Sequence, residues 1–200
     1  MEFPIVRHLQ RYEYITECGY VTDKTVLDIG CGNAQGTALL VNFAKEAVGM
    51  DPRFVGKEGA VHVSTYACPG RTAGKIHLLP SRWEEVNVAK SQVGVVVAVE
   101  IIEHLVNPKE FLKFAATVGD HLFITTPLAK KTAPTDNSEH VTEYSKQSMQ
   151  GMLKKEFNIL KVTYQHADLR ITDDAVANGS SLHKGHVVQM YWCQSKRRKR

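Results

Sequence analysis

The sequence is poor in the features that mark several protein classes. Its 200 residues include four cysteines, Cys18, Cys31, Cys68 and Cys193. No two of them stand as CxxC, which argues against a zinc knuckle or a disulfide scaffold. Long apolar runs are missing as well. The longest, Val95 to Val99, falls far short of the roughly 20 residues that a membrane span requires. The opening Met1-Glu2-Phe3-Pro4 is neither basic nor followed by an apolar signal core. A soluble chain in a reducing compartment, the cytoplasm, is the expectation.

A one-sided charge is missing too, although the formal net charge is +4. Lys196-Arg197-Arg198-Lys199-Arg200 supplies five of the 25 Lys and Arg residues, so the rest of the chain sets 20 basic side chains against 21 acidic ones. A nucleic-acid-binding body would spread basic residues over one face, and the balance gives no sign of that. The tail is expected to be a solvated, disordered terminus. A nuclear address or a phosphate-binding arm are the alternatives.

What is present is enough apolar material for a core, 43% of residues against 23% charged. One domain over residues 1–195 is expected, followed by the tail at 196–200. Helical and strand-like segments alternate along it. Ile5, Leu9, Tyr12 and Ile15 define a helix over 5–18. Strands are expected at 25–29, 47–51, 75–79, 93–99, 121–125, 157–164 and 186–193, with Pro127 stopping the fifth. Residues 34–46 read as a helix, Asn107-Pro108 starts another, and Ser145 caps a third through Glu156. This is an α/β chain: a seven-stranded, doubly wound Rossmann-like sheet, mostly parallel, with helices on both faces. Only a loop, 165–185, separates the last two strands, which implies one antiparallel edge strand.

The strongest chemical signal follows the first strand. Asp28-Ile29-Gly30-Cys31-Gly32-Asn33-Ala34-Gln35-Gly36 leads directly into a helix, so glycines admit a ligand to the backbone and free N–H groups face it. About 20 residues on, Asp51 ends the second strand, placed to accept from both hydroxyls of a ribose. A nicotinamide site would need GxGxxG, but Gln35 stands where the third glycine belongs. Asp28, two residues before Gly30, would repel a pyrophosphate and suits a cationic, amino-acid-bearing ligand. S-adenosylmethionine has a sulfonium, an amino group and no phosphate, which favours methyl transfer.

The run Val26-Leu27-Asp28-Ile29-Gly30-Cys31-Gly32 resembles motif I of the class I S-adenosylmethionine-dependent methyltransferases. Val99-Glu100-Ile101-Ile102-Glu103-His104-Leu105, Ile124-Thr125-Thr126-Pro127 and His140-Val141-Thr142-Glu143-Tyr144-Ser145 resemble later motifs of that family. The likeness, closest to ubiquinone-pathway members, runs from about Leu9 to Tyr164. It implies that Gly30 and Gly32 pass under the methionine part and that Asp51 holds the ribose. It also implies that Arg11 grips the cofactor carboxylate, and that Val99 and Glu100 lie at the cofactor. Ser81-Arg82-Trp83 falls where relatives carry an acid and an adenine neighbour, so Ser81 is expected to stand in for the acid. Glycines and prolines between Asp51 and Lys75 break the helix that relatives have there.

Glu100, Glu103 and His104 share one face if a helical turn follows the fourth strand, and His140 would complete a set for a divalent cation such as Mg2+. The likeness extends to small-RNA 2′-O-methyltransferases, which use such a cluster. Without a metal, His104 and His140 are the candidate general bases, because imidazole titrates near neutrality. His62, His77, His166 and His183 are expected to be surface or core residues. The mixed charge of the loops outside the motifs favours O-methylation of a polar small molecule or glycan-like acceptor. RNA ribose is the alternative, and a catalytically idle cofactor-binding protein is a third reading.

Overall fold

The structure, a computed structural model, describes residues 3–54, 75–86, 93–133, 139–173 and 187–196. The glycine-broken segment after Asp51, His62, His183 and the last four tail residues lie outside these. The chain divides into two compact units, one of Met1–Val99 with Val118–Asp120, the other of Glu100–Thr117 with His121–Arg200.

In the first unit, helix α1 (Phe3–Glu17) precedes β1 (Thr25–Ile29), α2 (Gln35–Leu40), β2 (Glu46–Met50), β3 (Lys75–Leu79) and β4 (Val93–Val99). The strands lie in the order β3-β2-β1-β4, and all pairs are parallel. β4 reads Val-Gly-Val-Val-Val-Ala-Val, and all but Gly94 are buried. Such an unbroken apolar run is what a strand covered on both faces requires. α2 is far shorter than the helix expected over 34–46. After Leu40 the ladder tightens, with Asn42 N donating to Leu39 O and Phe43 N to Leu40 O. These i→i+3 bonds end the helix early and return the chain to β2.

Apart from Val118–Asp120, the second unit holds α3 (Pro108–Val118), β5 (Gly119–Ala129), β6 (Tyr144–Ser145), α4 (Lys146–Glu156), β7 (Phe157–Gln165), β8 (Ile171–Thr172) and β9 (Val188–Ser195). Its order is β5-β9-β7-β8, with β6 on β5. Two-residue β6 and β8 raise the strand count among the described residues from the expected seven to nine. The sheet ends on an antiparallel edge strand, the short β8 on β7, but the long strand expected there, β9, lies inside, antiparallel to both β5 and β7. Pro127 does not stop β5, which pairs on with Pro127 opposite Val188. The hydrogen bond toward that neighbour is made by Leu128 N, to Val187 O at 2.8 Å. The proline's missing N–H therefore falls on the side where β9 needs none. Ser145 caps α4 as expected, its Oγ accepting from Ser148 N at 3.2 Å.

Candidate functional site

In the first unit the turn after β1 is held by its backbone. Gly30, Gly32 and Ala34 have φ of 72°, 63° and 63°, a region that glycine enters freely and alanine only under strain. Gly32 N donates to Asp51 Oδ2 at 2.9 Å, so the turn and the end of β2 are tied together. Asp51 is 3% exposed. Its Oδ1 accepts from Arg53 N at 2.8 Å and Arg53 Nε at 3.1 Å, and its Oδ2 accepts from Arg53 Nη2 at 3.2 Å. Arg53 was not among the residues singled out from sequence. The signal was Asp51-Pro52-Arg53, in which proline fixes the turn that returns the N–H two residues on to the aspartate.

Asp28 faces inward, toward Tyr12 and Thr37. It is fully buried, accepting from Tyr12 Oη at 3.1 Å and from Thr37 Oγ1 at 2.6 Å. Burial pushes its carboxyl up to about 7, against the pull of these two donors. Gly36 explains itself through the same contact: a Cβ there would lie 2.3 Å from the Tyr12 ring. The glycine that stands one position late for a dinucleotide fingerprint is thus the seat of Tyr12. Burial also raises the Cys31 thiol far above its ordinary value, which leaves it inert. Arg11 is buried, one residue before Tyr12.

Leu79 O accepts from both Asp51 N and Ser81 N, which brings the Ser81-Arg82-Trp83 stretch beside the end of β2. Ser81 does not stand alone for the missing acid. Its Oγ lies 3.1 Å from Glu85 Oε2, which also accepts from Arg82 N at 3.0 Å. Glu85 thus serves to cap the short turn Trp83–Glu85. His77 is exposed and paired with Glu46.

The second unit carries a separate group. Glu103, His104 and His140 bring their ligand atoms within 4.8 Å of one another. Glu103 is fully buried, and its backbone O accepts from Val141 N and Thr142 N, which fixes the distant His140 segment against it. His104 Nδ1 faces Glu139 O, and a carbonyl can only accept, so Nδ1 carries the proton. His140 Nδ1 faces the Glu143 carboxylate at 3.3 Å, with the same result. In the neutral form of each ring Nε2 is then the lone-pair nitrogen, and the two rings meet edge to face with centroids 4.9 Å apart. Burial, followed by the Glu103 carboxylate, raises the Tyr144 phenol.

Glu100 is not in this group. The turn after β4 is 3₁₀, Ile102–His104, and Glu100 precedes it with φ 52°. A helical i, i+3 face therefore does not form. Instead Glu100 N donates to Thr125 Oγ1 at 3.2 Å, and Thr125 Oγ1 donates to Glu100 Oε1 at 3.0 Å. Val99, at the end of β4, is buried. His166 is a core histidine, its Nε2 lying 2.8 Å from Thr172 Oγ1.

The family model described as a methyltransferase domain matches residues 11–161. The chain belongs to this family. It is a class I S-adenosylmethionine-dependent methyltransferase, an enzyme with the Rossmann-like fold that the strand order shows. Among solved structures this methyltransferase is similar to the Burkholderia thailandensis 1,6-didemethyltoxoflavin-N1-methyltransferase, bound to its acceptor and S-adenosylhomocysteine. That match has 11% identity over 94% of this chain and 78% of the other, with a TM-score of 0.64. A Leishmania major S-adenosylmethionine-dependent methyltransferase is 13% identical over 96% and 74%, with a TM-score of 0.64. The N-terminal domain of EvdMO1, solved with S-adenosylhomocysteine and D-fucose, is 14% identical over 96% and 83%, at 0.58. At these identities the likeness is one of fold. No curated protein matches the sequence.

Proposed function

We propose that this methyltransferase transfers the methyl group of S-adenosylmethionine to a hydroxyl of a polar small molecule or glycan-like acceptor. The observation that carries the reading is a pair of imidazoles beside the buried Glu103, each with its Nδ1 on a local acceptor, so that the neutral ring offers Nε2 as a base. A hydroxyl must lose its proton as the new O–CH3 bond forms and the S–CH3 bond breaks onto sulfur. A neutral imidazole takes that proton at ordinary pH. The sulfonium is already activated, so the remaining task is alignment and exclusion of water. Among proteins of this fold, one was solved with bound 1,6-didemethyltoxoflavin and another in the presence of D-fucose, both small molecules.

The cofactor is assigned to the turn after β1 and the end of β2, with Asp51 on the ribose, Gly30 and Gly32 under the methionine part, and Arg11, Ser81, Arg82, Trp83, Val99 and Glu100 as further contacts. The family match crosses both compact units, which supports residues 1–195 working as one domain. Among the described residues no helix is long and apolar enough to cross a membrane, and we assign the working compartment to the cytoplasm.

A second reading rests on the same three side chains. Glu103, His104 and His140 would hold a divalent cation such as Mg2+. Each imidazole donates its other nitrogen to a carbonyl or carboxylate, the arrangement that orients histidine ligands. Such an ion would supply Lewis-acid polarisation of the acceptor oxygen, and RNA ribose is the acceptor it would favour. The experiment uses methyl-labelled cofactor with a panel of sugars, hydroxylated metabolites and RNA, with and without a chelator. Labelled small-molecule ether formed in the chelator's presence is the expected result. Label confined to RNA, abolished by the chelator and restored by magnesium or manganese, would replace the first reading by the second.

A further inference from the structure

The carboxylate of Asp51 has no acceptor position left. It offers about four lone-pair sites, two on each oxygen, and four donors occupy them. Two are backbone groups, Gly32 N on Oδ2 and Arg53 N on Oδ1, and the turn fixes both. The other two belong to the Arg53 side chain, with Nε on Oδ1 at 3.1 Å and Nη2 on Oδ2 at 3.2 Å. The guanidinium thus places one donor on each oxygen. The 2′- and 3′-hydroxyls of a ribose would do the same. Arg53 also covers the glycine turn, its Nη2 standing 3.1 Å from where a Cβ on Gly32 would lie.

From this geometry we propose that Arg53 is a placeholder for the ribose diol, which competes with the cofactor for Asp51 and swings out when the cofactor binds. The inference rests on the reading of Asp51 as the ribose acceptor. The side chain can leave because it is 70% exposed, whereas the Asp51 side chain is 5% exposed. The guanidinium half of the pair is solvated, so water takes over its hydrogen bonds when it leaves. The guanidinium adds two donors to a buried carboxylate that already accepts from two backbone N–H groups. S-adenosylhomocysteine carries the same ribose as the substrate cofactor. The return of Arg53 therefore opposes product retention as much as cofactor binding.

Calorimetry with S-adenosylhomocysteine, which has no net charge at neutral pH, tests this on the full chain. Arg53→Ala should bind roughly two- to fivefold more tightly, the range an exposed pair can supply. Raising the salt should tighten binding to the wild type, by screening the competing pair, and leave Arg53→Ala unmoved. In steady state the variant should show a lower KM together with a lower kcat, the mark of slower product release. Unchanged or weaker binding by Arg53→Ala would overturn the placeholder. Asp51→Asn separates the two claims: a loss of about tenfold or more supports the ribose reading even if Arg53 fails. Wild-type affinity in Asp51→Asn would remove that reading and the placeholder with it.

Discussion

The two units solve the problem of placing polar groups in opposite ways. In the first, the carboxylates of Asp28 and Asp51 are buried and each oxygen already has a donor. In the second, the imidazoles of His104 and His140 each spend one nitrogen on a local partner and keep the other. The first arrangement is local: parallel strands end together, and the turn from Asp28 to Asp51 closes on itself. The second needs a segment nearly forty residues away, brought in by backbone bonds from Val141 and Thr142 to Glu103. A site built from backbone amides and a carboxylate that can exchange one donor pair for another is suited to holding a ligand. A site with spare lone pairs is suited to moving a proton or holding a cation.

Three perturbations would break or sharpen that contrast. The largest effect belongs to the second unit. His104→Ala should lower turnover by about 100-fold or more, the ordinary worth of a general base, while calorimetry shows cofactor affinity within about twofold of wild type. Equal losses in turnover and cofactor affinity would mean that the division of labour is false.

The next is a pH effect confined to the first unit. Asp28 keeps its proton to about pH 7 in the folded chain, against 3.8 for an ordinary aspartate. Between these values the folded state binds more protons than the unfolded one, so stability falls as pH rises from about 4 to about 7 and is level beyond. Asp28→Asn should lose that decline, since the Thr37 hydroxyl can turn to accept from the amide. The difference between the two denaturation curves should reach at most about 4 kcal/mol across this window. Parallel curves would show that Asp28 is ionised throughout.

The smallest effect compares two helical glycines. Gly36→Ala drives a methyl into the Tyr12 ring, where a Cβ has only 2.3 Å, and should cost about 1–3 kcal/mol. Gly151→Ala, on α4, meets nothing within 4 Å and should stabilise by about 0.5–1 kcal/mol. Thermal melts of the two variants should therefore move in opposite directions, and a shift of the same sign would show that Tyr12 does not seat on Gly36.

The sequence determined the elements whose signal is local. Alternation of helix and strand, the Gly30–Gly32 turn between them, the acid closing β2 and the Ser145 cap all depend on neighbours within a few residues, where hydrogen bonding and φ preferences act. Tertiary structure decided whatever depended on which side of a strand or turn a group faces. Pro127 continues β5 because its missing N–H points away from β9, and β9 is interior because it pairs on both edges. Glu100 parts from Glu103 and His104 because it lies before the Ile102–His104 turn, with a left-handed backbone (φ 52°) that takes it out of the helical path. Arg53 on Asp51, Tyr12 on Gly36 and His140 beside Glu103 are contacts between side chains and surfaces that spacing alone does not fix, since they exist only once the chain has packed.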